Sequence, residues 1–187
     1  MTEATARDKL RSRLILLLIV AMFFSSFGIA AYLRFTGWMP GGHGKNIGEL
    51  MQPPKNLAAI ALKRADGSDY AWTSDNQRWQ IVFVAPQNCG TPCAQMLDTL
   101  HRLWLSEGRL ADRVQVVWFG DLPANAPRFR MLVPMAANPQ FLQALPDTAS
   151  AQALPVYLVD PTGYLVMRYP PGFEPGGLRK DLAQLLK

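Results

Sequence analysis

Groups that carry chemistry are scarce in this chain: its 187 residues include only two cysteines and two histidines. Two thiols by themselves suit zinc poorly, since a structural site takes four ligands. No Ser-His-Asp set, metal-spaced histidine pair or carboxylate pair is present to argue for a hydrolase. No internal repeat is evident, and no basic run occurs beyond the first residues. Of the formal charge of +5, residues 1–13 carry +2 and Arg34 +1, which leaves +2 for everything after. That is too little to propose nucleic acid as a partner.

What the chain has in quantity is apolar sequence at its start. Leu14–Leu33 is twenty residues without a charge. At 1.5 Å per residue, such a helix spans a hydrocarbon core of about 30 Å. Arg7, Lys9, Arg11 and Arg13 precede it against Glu3 and Asp8. The positive-inside rule then keeps residues 1–13 cytoplasmic and sends the chain after Arg34 across the membrane. A cleaved signal peptide is the rival reading, but its apolar region is normally shorter, and the small residues Gly28–Ala31 lie inside the run. The expected layout is a cytoplasmic tail (1–13), a transmembrane helix (14–33), a juxtamembrane linker (34–55) and one domain (56–187). The linker rests on the glycines and prolines of Phe35–Pro54. The expected location is the inner membrane, with the domain periplasmic or on the equivalent intermembrane side, where a disulfide persists.

The domain is arranged around QIVFVAPQNCGTPC, Gln80–Cys93. Ile81–Val84 reads as a strand buried on both faces. Thr91 reads as a helix cap and Pro92 as the first helical residue. An apolar stripe follows at Met96, Leu97, Leu100, Leu103 and Trp104. Cys89 and Cys93 thus stand where a strand hands over to a helix N-terminus, whose dipole favours thiolate. Within a helix, residues four apart hold their β-carbons about 5–6 Å from each other, farther than a disulfide allows. Closing the pair therefore requires a loosened first turn. Cys89, ahead of the helix, is expected to be the reactive thiol and Cys93 the buried one.

Val114–Phe119 is a second buried strand, making a β-α-β unit with a right-handed crossover. Asp66-Gly67 signals an earlier hairpin. Prolines chop residues 120–150 into short pieces, with Asn138-Pro139 capping a helix to Leu145. Pro155–Val159, the turn Asp160–Gly163 and Tyr164–Tyr169 form a second hairpin, and Leu178, Leu182, Leu185 and Leu186 mark a final helix. His43 reads as a linker histidine and His101 as a helix-edge one. Met131 and Met135 are core fillers or, alternatively, soft ligands.

This order, strand, dithiol helix, strand, helix, hairpin, helix, resembles thioredoxin, and the likeness covers most of residues 57–187. The predicted fold class is α/β and thioredoxin-like, preceded by one transmembrane helix. Pro155 stands where such folds place a cis proline beside the dithiol, so Leu154–Pro155 is predicted cis. The Cys-x3-Cys spacing, the anchor, VQVVWFG and YLVDPTG are similar to the Sco family of copper chaperones and thiol reductases. That resemblance implies that Cys89 and Cys93 are redox-active and hold copper, and that the partner is the copper-A site of cytochrome c oxidase. The family's third ligand, a histidine, has no counterpart here: the matching place falls near Gln152. Nor do prolines follow the cysteines, where Gly90 and Ala94 stand instead. Two thiolates suit Cu(I), so Cys89 and Cys93 are the candidate Cu(I) ligands. Three functions follow: an oxidase assembly factor, a general thiol–disulfide reductase of the cytochrome c maturation type, or a non-catalytic membrane-bound scaffold.

Overall fold

An apolar run with no polar face can lie only inside a sheet covered on both sides. In the computed structural model, which describes residues 2–36, 46–72, 77–148 and 154–187, Ile81–Val84 and Val114–Phe119 do so. The chain forms two units, Met1–Gly44 and Lys45–Lys187. The first contains the helix α1 (Thr2–Thr36), and its stretch Arg13–Tyr32 is long and apolar enough to cross a membrane.

In the second unit the elements run β1 (Glu49–Asn56), β2 (Leu62–Lys63), β3 (Asp69–Tyr70), β4 (Trp79–Val84), α2 (Thr91–Ser106), β5 (Val114–Phe119), β6 (Leu132–Met135), α3 (Pro139–Ala144), β7 (Val156–Val159), β8 (Tyr164–Tyr169) and α4 (Pro175–Leu185). Six strands make one sheet in the order β1-β8-β7-β4-β5-β6. β4 is parallel to β5, and β5 to β6, whereas β7 runs antiparallel to β4. β2 and β3 form the hairpin expected at Asp66-Gly67, with Leu62 opposite Tyr70.

Side chains alternate across a strand, so the sheet sorts its apolar residues into two cores. Ile81, Phe83, Val116 and Trp118 face α2 and α4, where Leu97, Leu100, Leu178 and Leu182 meet them. Val82, Val117, Phe119 and Tyr157 face the other way, against Phe141 of α3 and Leu57. Asn138 caps α3, its side chain accepting from the Phe141 N–H at 3.0 Å.

Two elements lie where none was expected. β1 occupies the last part of the expected linker, paired with β8 at Glu49–Arg168 and Leu50–Met167. The pairing shifts between Leu50 and Lys55, where Pro53 and Pro54 lack the N–H groups of a regular ladder. The chain is pinned just before it. Asp181 of α4 is 1% exposed, and its carboxylate accepts from Ile47 N–H at 2.9 Å, Gly48 N–H at 2.8 Å and the Tyr169 hydroxyl at 2.8 Å. Gly48 is required there: a β-carbon would sit 2.7 Å from Cζ of Tyr169. The second is β6, an edge strand that carries Pro134, a position where proline is tolerated. Its outer side meets the β2–β3 hairpin, through Ala65 N–H to Pro134 O at 3.0 Å and Ala136 N–H to Lys63 O at 2.9 Å.

Three buried tyrosines set an alkaline limit. Burial pushes Tyr70 and Tyr157 each up to about 12. Tyr169 is also raised, by burial first and then by its bond to Asp181. Below pH 10 folded and unfolded chains both keep these protons, so stability is unaffected by them. From pH 10 toward 12 the unfolded chain releases protons that the folded one retains, and stability falls. Denaturant midpoints should decline over that window together with the appearance of tyrosinate absorbance. A flat midpoint through it would contradict the burial of these phenols.

Candidate functional site

β4 delivers the chain to the carboxyl end of the sheet, where open α/β folds bind their ligands. Ala85 N–H still bonds Phe119 O at 2.8 Å, and the chain then turns away. Asn88 and Gly90 flank Cys89 with φ of 55° and 56°, both left-handed. Asparagine tolerates that region, and Gly90, with ψ −127°, has a conformation open essentially to glycine alone. The helix starts one residue before the expected place. Gly90 is the N-cap, without a side-chain bond, Thr91 the first helical residue and Pro92 the second. Thr91 is therefore no cap, because the sharp turn around Cys89 has already oriented the chain.

That turn brings Cys89 back over the first turn of α2. Cys89 and Cys93 form a disulfide with Cα atoms 5.6 Å apart. The loosening needed for closure lies outside the helix, in the two left-handed residues. Cys93 is 1% exposed and packs with Leu97 in the core, whereas Cys89 is half-buried. Both line a cleft of about 130 Å³, together with Pro86, Asn88, Asp121 and Pro123. Asp121 is the ionisable side chain of that lining, and sequence reading passed over it. It directly follows Gly120 at the end of β5, the strand beside β4, which is a topological signal and no motif.

Pro155 is buried directly before β7, and Leu154 lines a cavity of about 230 Å³ with Pro92, Gln95, Met96 and Phe173. The segment therefore reaches the dithiol helix, as its place in the order predicts. The peptide isomer is a correction: Leu154–Pro155 is not cis, and among the described residues the cis bond is Gln52–Pro53. A proline ahead of a strand removes no ladder hydrogen bond in either isomer, and the trans form is intrinsically favoured.

The other candidates stay apart from the sulfurs. His101 stacks on Phe129, ring centres 4.7 Å apart, and on Trp104 at 6.1 Å. Met135 is buried in the core on the sheet face opposite Cys93, and Met131 is buried at the start of β6; neither lines the cleft. His43 and Gln152 lie outside the described residues. Among the described residues, no group of three or more His, Cys, Asp or Glu side chains is placed to hold a metal. Two sulfurs side by side fit Cu(I), which accepts few soft ligands, and do not by themselves fit Cu(II).

Comparison with known proteins agrees with this architecture. The family described as transmembrane-like, thioredoxin-like, C-terminal domain matches residues 79–187. No curated protein matches the sequence. Among solved structures, BsSco, a member of the Sco family of cytochrome c oxidase assembly proteins with a disulfide switch, superposes with a TM-score of 0.56 at 16% identity. The match covers 75% of this chain and 97% of that one. The SCO1/SenC family lipoprotein from Bacillus anthracis gives 0.53 at 16% identity, over 73% and 99% of the two chains. The apo Sco protein from Thermus thermophilus gives 0.54 at 17%, over 77% and 99%. Identities this low establish a shared thioredoxin-like fold and nothing finer. The chain belongs to the transmembrane-like, thioredoxin-like family, with a dithiol domain built as in the Sco proteins and one apolar helix ahead of it.

Proposed function

We propose that this is a membrane-anchored dithiol protein of cytochrome c oxidase assembly, which keeps the cysteines of the copper-A site reduced through Cys89 and Cys93. The observation that carries this reading is the asymmetry of the pair: Cys89 half-buried at a cleft, Cys93 beneath it in the core. In the reduced protein the Cys89 thiolate attacks one sulfur of a client disulfide and releases the other client cysteine as thiolate. Cys93, deprotonated, then attacks the Cys89 sulfur and frees the second client thiolate. Two electrons pass to the client, and the protein is left as the Cys89–Cys93 disulfide, to be re-reduced by a dithiol donor.

One structural neighbour supports the partner, BsSco, a member of the Sco family of cytochrome c oxidase assembly proteins. The apolar helix and the arginines before it support a domain on the periplasmic side, or its equivalent, of an inner membrane. Cu(I) is a second cargo for the same sulfurs, since both converge in one cleft and a yeast Sco protein of this fold was solved with copper bound.

Trapping tests the exchange. With Cys93→Ser in the full chain and an oxidised copper-A subunit as client, a mixed disulfide through Cys89 should accumulate, since nothing resolves it. Cys89→Ser should give none. Peptide mass spectrometry locates the linkage. Equal trapping by both variants, or by neither, removes the reading.

A further inference from the structure

The cavity that Leu154 lines does not end at Met96. It shares Thr99 and Pro175 with a second cavity of about 340 Å³, whose walls include Leu103, Arg102 and Arg179. The two form one groove along α2, from Pro92, the neighbour of Cys93, toward the far end of the helix. The near half is lined mainly by apolar groups, Pro92, Met96, Leu154 and Phe173 among them. The far half carries two guanidinium groups and no acidic side chain in its lining. Asp98 does bond Arg102, at 2.7 Å, but that pair is exposed and contributes little that a ligand carboxylate would have to displace. Glu107 stands near Arg179 without lining the groove.

Resting on the dithiol reading above, we infer that the client segment lies extended in this groove and carries an acidic residue that Arg102 and Arg179 select. The spacing follows from the helix. Pro92 and Arg102 are ten residues apart, about 15 Å along the axis at 1.5 Å per residue. An extended strand covers that length in about five residues at about 3.3 Å each. The carboxylate therefore sits about five residues from the client cysteine that Cys89 attacks. Arginine forks recognise carboxylates in a fixed, bidentate geometry, so the site discriminates by position as well as by charge. The apolar half orients the chain, and the arginines set which clients are taken.

The test is a rate comparison with the reduced full chain in detergent. Peptides carry one cysteine joined to thionitrobenzoate, with Glu, Gln or Lys five residues away on either side. Attack on the peptide sulfur releases one coloured thiolate. At low salt the Glu peptide of one polarity should react about tenfold faster than its Lys counterpart, and the gap should close as salt is raised. Arg102→Glu with Arg179→Glu should invert that preference, and a far-ultraviolet circular dichroism spectrum matching that of the unaltered chain shows that the variant is folded. Reaction of Glu and Lys peptides at equal rates overturns the groove assignment and leaves the dithiol reading standing. No reaction with any peptide overturns both.

Discussion

Asp181→Ala should destabilise the domain by about 2–5 kcal/mol, the cost of leaving buried donors without the acceptor they share. The carboxylate collects two backbone N–H groups and a phenol at 2.8–2.9 Å; the bonds from Gly48 and Tyr169 are buried, and the one from Ile47 is part-buried. Without it, the buried Gly48 N–H has no acceptor and the Tyr169 hydroxyl keeps only the weak one at Met167 Sδ, 3.6 Å away, at about 1–3 kcal/mol each before relaxation. Asp181→Asn should cost less, since one oxygen remains; its new amide would face the Ile47 N–H, 3.1 Å from the other carboxylate oxygen. Urea denaturation of both variants measures this. A loss below about 1 kcal/mol for the alanine variant would mean that the pin contributes nothing net.

The second large effect concerns copper. The reduced chain should bind one Cu(I) through Cys89 and Cys93, measured anaerobically against a competing chelator, and Cu(II) weakly or not at all. Cys89→Ser or Cys93→Ser removes half of the sulfur set. The affinity should then fall by more than about 100-fold, the upper end of what outer-shell changes cost a metal site. Oxidation to the disulfide should release the metal, since the thiolates are consumed. A strong thiolate-to-Cu(II) charge-transfer band would reveal a third ligand, with His43 the first to test. Absence of Cu(I) binding with both thiols free would leave reduction as the sole chemistry of the pair.

The parts legible in the sequence are those whose reasons are local. Ile81–Val84 and Val114–Phe119 declare a doubly covered sheet because they lack any face for water. Asn138-Pro139 declares a helix start because the cap and the first N–H groups are three residues apart. The place of Cys89 at a strand end follows from the same kind of argument. β1 was hidden because most of its side chains are exposed and two prolines interrupt it. It is held by β8 and by a carboxylate 133 residues away, which no window of sequence contains. Asp181 itself, in Arg-Lys-Asp-Leu, looks like a solvated helix residue until Ile47 and Gly48 dock upon it. Asp121 enters the cleft only because β5 lies beside β4. The isomer of Pro155 follows from backbone geometry that the residue type leaves open.

Strand addition is the usual way for one chain to recruit another by backbone alone, and for a misfolded protein to polymerise. At one end of this sheet β1 offers Pro53, Pro54 and Lys55 along a shifted pairing, a poor template for a further strand. At the other, the Pro134 carbonyl and the Ala136 N–H are already bonded by the hairpin. A newcomer seeking backbone partners meets proline on one side and an occupied edge on the other. Neither edge of this sheet therefore gives a second chain much to extend, and recruitment into fibrils by backbone alone finds no ready template on this domain.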